Sequence, residues 1–174
     1  MICGVDTLRG QPLVHQMMML DAELTEPVEN VSGPDLVRRL VDRLLAELGM
    51  TELGDLQFFE AVDLSAPGWS FIQPITTSHI SGHYFAMPDE PPRIHLDIYS
   101  CRPFDPGKTI ASLHTDLSFG RWVGTLVVRD MDLTRRSTME LEGYGDQIAG
   151  TTPLRPRPQA LSSRRYPCGF SSRY

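Results

Sequence analysis

Hydrophobic and polar positions change period along the chain, and each change predicts an element. From residue 35 onward, Leu36, Val37, Leu40, Val41, Leu44, Leu45 and Leu48 recur at three- and four-residue steps. Arg38, Arg39, Asp42, Arg43 and Glu47 fall between them, so one helical stripe is apolar and the other charged. Ser32 or Asp35 is the candidate cap, Pro34 suits a first turn, and Gly49 is a stop. Such a helix packs on a sheet. Residues 13–22, rich in Val, Leu and Met, read as a strand before it. Further strands are expected at 55–64, 69–76, 78–85, 93–101 and 121–133, separated by Pro67-Gly68 and by the run from Pro88 to Pro92. Residues 105–118 predict a second helix with Asp105 as cap and Pro106 in its first position.

The order strand, helix, several strands, helix, strand, with hairpin-length connections, predicts an α+β fold. It is a two-layer sandwich with a mainly antiparallel sheet and helices on one face. The domain is expected over residues 1–145. Residues 146–174, rich in Pro, Ser and Arg without periodicity, read as a disordered tail.

Composition narrows the function classes. The 174 residues have the size of one domain, and no run of 18 apolar residues suggests a membrane span. The N-terminus has no basic region followed by a long apolar stretch, so a cytoplasmic location is expected by default. Cys3, Cys101 and Cys168 are odd in number and far apart, unlike a disulfide framework or a zinc site. The net charge is −6, but residues 151–174 hold five Arg and no acid, which leaves −11 on residues 1–150. An acidic body argues against nucleic acid as a partner and suits a cationic small molecule.

Candidate chemistry lies on two of the strands. In 94–101, Ile94, Leu96, Ile98 and Ser100 alternate with His95, Asp97, Tyr99 and Cys101. The stretch "ITTSHISGHYF" places His79, Ser81 and His83 on a common face. If these strands pair, Ser78, His83 and Cys101 line a polar cleft. Three readings stay open on the residues alone: an exposed polar face with satisfied histidines, a metal site, or a Ser/His/Cys catalytic site. Metal is disfavoured, because His79 and His83 on one strand stand roughly 13 Å apart at about 3.3 Å per residue.

"SHISGH" followed by "HLDIYSC", with "PGWS" upstream, resembles the bacterial and archaeal S-adenosylmethionine decarboxylase family over roughly residues 12–133. The resemblance implies a proenzyme that makes its own cofactor. The Ser78 hydroxyl attacks the carbonyl of Thr77, the amide becomes an ester, and β-elimination splits the chain, leaving a pyruvoyl group derived from Ser78. Ser70 matches the serine that assists processing, His83 the histidine that removes a proton during elimination, and Cys101 the proton donor in decarboxylation. A pyruvoyl ketone supplies the electrophile that ordinary side chains lack. Thr77 stands where the family has Glu, and "YFAMPDEPP" stands where it often has Trp-Pro-Glu, with Asp89 as a stand-in for the acid that holds the ribose. Phe58 or Phe59 is either a core residue or a stacking surface for the adenine, and Phe59 is the candidate. The resemblance also implies a homo-oligomer. S-adenosylmethionine, in polyamine (spermidine) synthesis, is the implied substrate. A basic amino acid such as ornithine or arginine, and an unprocessed homologue acting as a binding or regulatory protein, are the alternatives.

Overall fold

A computed structural model of the protein describes residues 14–61, 65–76, 78–130 and 136–154. Strand β1 (Val14–Leu24) leads through a turn into helix α1 (Gly33–Leu48). Four strands follow: β2 (Gln57–Ala61), β3 (Gly68–Ile75), β4 (Ser78–Phe85) and β5 (Arg93–Ser100). Helix α2 (Pro106–Leu117) and strands β6 (Phe119–Asp130), β7 (Arg136–Tyr144) and β8 (Gln147–Leu154) complete the described chain. The eight strands form one sheet in the order β2-β3-β4-β5-β1-β6-β7-β8, and every neighbouring pair is antiparallel. The α+β sandwich expected from the sequence is the fold observed.

The helices form where the periodicity predicts. Along α1, Leu36, Val37, Leu40, Val41, Leu44 and Leu48 are buried, and Gly49 ends the helix at φ 61°, a left-handed conformation that glycine adopts without steric cost. Ser32 occupies the cap position without a side-chain hydrogen bond, while Asp35 lies in the first turn. In α2, Asp105 is a working cap: its carboxylate accepts from the Gly107 and Lys108 amides at 2.9 and 3.2 Å. Arg43 of α1 reaches Asp116 of α2 at 2.9 Å, and this hydrogen bond, reinforced by the opposite charge, raises the guanidinium pKa.

One face of the sheet packs on these helices. Met18, Leu20, Ala22, Trp69, Phe71, Ile80, Tyr84, Ile94, Leu96, Ile98 and Trp122 enter a single apolar cluster with the α1 and α2 stripes. Gly82 sits at its centre because the space above it is occupied: a Cβ there would come within 2.5 Å of Phe71 and 2.7 Å of Leu96. The opposite face carries no helix among the described residues, and exposes Met19, Phe59, Ile72 and Val123 among polar side chains.

The C-terminal boundary differs from the sequence expectation. Residues 147–154, assigned to a tail, form β8 against β7, and the β7 segment is a strand that the sequence reading does not predict. The hairpin is tied back to the core by the Trp122 indole, which donates to the Gly145 carbonyl at 2.9 Å. Residues 155–174 of the expected tail lie outside the described residues. No helix of the described chain is long and apolar enough to cross a membrane.

Candidate active site

The site begins with a break in the sheet between β3 and β4. Thr76 closes β3 and is held by the segment after α1: its amide donates to the Thr51 carbonyl at 2.9 Å, and the two threonine hydroxyls lie 2.6 Å apart. Leu53 N–H donates to the Pro74 carbonyl at 3.1 Å, extending the same anchorage. Ser78 opens β4 opposite Ile75. Thr77, the residue preceding the expected cut, lies outside the described residues. The chain is therefore pinned immediately before and after that position.

Ser78 and Cys101 meet across β4 and β5. The Cys101 amide donates to Ser78 Oγ at 2.9 Å, and the Cys101 thiol lies 3.8 Å from the Thr76 carbonyl. The thiol and the hydroxyl thus flank the same short length of chain. Cys101 follows the last residue of β5 in a turn built from buried polar groups. Ser100, with no exposed surface, donates through Oγ to the Arg102 carbonyl at 2.7 Å and accepts from the Arg102 amide at 3.0 Å. Gln16 of β1, 6% exposed, donates to the Phe104 carbonyl and accepts from the Phe104 amide, both at 3.1 Å.

Ser70 and His83 form a second, separate cluster. They are cross-strand partners on β3 and β4, and Ser70 Oγ lies 2.8 Å from His83 Nδ1. They stand on the open face of the sheet, in a rung that runs Phe59, Ser70, His83, His95, Asp21 across five strands. His95 lies 3.4 Å from Asp21 and edge-on to Phe85 at 5.2 Å between ring centroids.

The cleft of Ser78, His83 and Cys101 expected from the sequence is therefore not formed within one chain. Five residues of extended strand separate Ser78 from His83, roughly 16 Å at about 3.3 Å per residue. The pleat also puts them on opposite faces: Ile80, Gly82 and Tyr84, in phase with Ser78, are buried, whereas His83 is exposed. Ser78 joins Cys101, and His83 joins Ser70.

The remaining candidates are scattered. Phe59 is 59% exposed on the open face beside Ser70, while Phe58 packs on Trp69 at 5.5 Å. Asp89 is an exposed turn residue at φ 61°. A cavity of about 250 Å³ beside that loop is lined by Glu90 rather than Asp89, together with Phe85, Met87, Pro91, Arg93 and His95. Among the described residues, no three His, Cys, Asp or Glu side chains gather to hold a metal ion; His79 instead stacks on Tyr99 at 5.6 Å.

Sequence reasoning missed Gln16, Ser100 and Asp21 as parts of the two clusters. Gln16 carried a signal, since it falls in phase with Met18, Leu20 and Ala22, the buried positions of β1.

The hydroxyl, thiol and neighbouring backbone of the first cluster fit a group formed from Ser78, because the thiol already borders that residue's chain. A search of curated proteins returns no match to this sequence. The family model described as S-adenosylmethionine decarboxylase matches residues 18–130, which include Ser70, Ser78, His83 and Cys101, most of β1 and all of β2 to β6. On that match the chain belongs to the S-adenosylmethionine decarboxylase family.

Proposed function

We propose that the protein is a pyruvoyl-dependent decarboxylase that cuts itself between Thr77 and Ser78 and acts on S-adenosylmethionine for polyamine synthesis. The observation that carries this reading is the contact of Ser78 Oγ with Cys101 at a pinned interruption of the sheet. The Ser78 hydroxyl adds to the Thr77 carbonyl carbon, the C–N bond breaks, and the hydroxyl proton passes to the departing nitrogen, giving an ester and a free amine. A base then takes the Cα hydrogen of residue 78. The Cβ–O bond breaks, and the oxygen leaves as the Thr77 carboxylate. Water replaces the nitrogen of the resulting enamine, ammonia departs, and a ketone remains.

The ketone supplies the electron sink that carbon dioxide loss requires. In this reading the Cys101 thiol returns a proton to the carbon that loses the carboxylate. The acidic body suits a sulfonium substrate.

The base is His83 of the partner subunit. Within one chain, His83 and Ser78 are too far apart to share a reacting atom, so the two clusters serve one site only in an oligomer. The open sheet face supports this arrangement, because it exposes Phe59, Ile72, Met19 and Val123 on the same face as Ser70 and His83. A second copy laid across that face covers the apolar surface and brings its own Ser70 and His83 against this chain's sheet.

Carbon dioxide release from carboxyl-labelled substrate tests the activity. Release from S-adenosylmethionine and not from ornithine or arginine is the expected result. Release from a basic amino acid alone would move the substrate to that class, a reading favoured by the long 86–92 loop. No release from any of the three, with nucleoside binding retained, would identify a binding protein instead.

A further inference from the structure

The turn after β5 holds more buried hydrogen bonding than a connection needs. Gln16 occupies a core-facing position where Leu or Met would bury more apolar surface, yet both ends of its amide are spent on Phe104. Ser100, its register partner on β5, uses its hydroxyl twice on Arg102. Buried polar groups are retained when they are fully paired, and leaving one unpaired is costly. Between these two fixed points lies Cys101, and its amide is the donor to Ser78 Oγ.

We propose that Gln16 and Ser100 are positioning residues for self-cleavage, holding the Cys101 N–H on the Ser78 oxygen as that oxygen leaves in the elimination. This rests on the decarboxylase reading above and adds a second duty for Cys101, through its backbone rather than its thiol. Ser78 Oγ begins as a hydroxyl, becomes the bridging oxygen of an ester, and ends in the carboxylate of residue 77. Negative charge grows on it in the elimination as the Cβ–O bond breaks. A donor fixed beside that atom binds the charged oxygen more strongly than the neutral one, which lowers the barrier instead of merely stabilising the precursor. The donor helps only if it does not have to reorganise, and the Gln16 and Ser100 bonds provide that rigidity.

The experiment follows splitting of the full chain by intact mass in Gln16→Leu, Ser100→Ala and a control, Ile110→Val, which loosens the α2 core and removes none of the turn's hydrogen bonds. Circular dichroism selects conditions under which every chain is folded. The expected result is splitting slowed about tenfold or more in the two turn variants and unchanged in the control. Hydroxylamine should cleave an accumulated ester in the turn variants, a signature that general destabilisation does not give. Should Gln16→Leu not fold, Ser100→Ala, which removes one hydroxyl, carries the test. Turn variants that split at the native rate, or no more slowly than the control, overturn the proposal. A native chain that stays whole removes the decarboxylase reading and this role with it; a native chain that splits beside unaffected variants removes this role alone.

Discussion

The two ends of β4 hold the same kinds of group and treat them differently. At the Ser78 end the hydroxyl receives a backbone amide, and the neighbouring turn is fixed by buried Gln16 and Ser100. At the His83 end a hydroxyl and an imidazole meet at 2.8 Å on an open face, beside an exposed Phe59. The first is built as an interior and completed by its own chain. The second resembles half of an interface, with aromatic and apolar surface waiting to be covered. Ser78 and His83, close in sequence, are thus separated by strand geometry, and the proposed oligomer would bring them together.

The comparison breaks most completely at Ser78. Ser78→Ala removes the attacking oxygen, so the variant is expected to show no splitting at all by intact mass. His83→Ala is expected to stop splitting as well, and co-expression with Ser78→Ala should restore it. The Ser78→Ala chain supplies the missing imidazole, and the chain that splits keeps its own serine. Fragments absent from the mixed sample while the native chain splits would mean that His83 does not act on the chain of the partner subunit.

Cys101→Ala separates backbone from thiol. The chain should still split, because the amide that donates to Ser78 remains. Labelled carbon dioxide release should fall by about 100-fold or more. Equal loss of both activities would mean that the thiol also serves cleavage.

Smaller effects sharpen the contrast between core and open faces. Gly82→Ala pushes a methyl into Phe71 and Leu96 between the two clusters. It should cost about 1–3 kcal/mol in urea unfolding, whereas Ser81→Ala, one residue away in the opposite phase, should change stability by less than about 0.5 kcal/mol. Trp122→Phe loses the bond to Gly145 and should cost about 1 kcal/mol, read in the same titration.

Much of this architecture is legible in the sequence because single positions decide it. The apolar stripe of α1, the Gly49 stop and the Asp105 cap each have a local cause, and the observed bounds fall within a few residues of those expected. Alternation in 94–101 correctly separates Ile94, Leu96 and Ile98 from His95, Asp97 and Tyr99. The β7–β8 hairpin is obscured because Leu141 is its one buried hydrophobic side chain, and Glu140, Glu142 and Gly143 flank it without a strand-like apolar run. Its stability comes from pairing with β6 and from Trp122, both distant in sequence.

The candidate site is legible as a set of residues and illegible as a geometry. Ser70, Ser78, His83 and Cys101 can be picked from motif and spacing. Their division into two pairs depends on which strands are neighbours and on the phase of the pleat at residue 78. Gln16 is hidden for a related reason: a lone polar residue near a strand start reads as an edge, and its partner Phe104 is 88 residues away.

Self-cleavage at Ser78 is the central claim, and the mass of the purified native chain tests it most directly. Two fragments are expected, residues 1–77 and 78–174, with the second beginning in a ketone in place of the serine amine, and a whole chain in Ser78→Ala. A single 19.5 kDa species from the native sequence, identical in behaviour to Ser78→Ala, would contradict it.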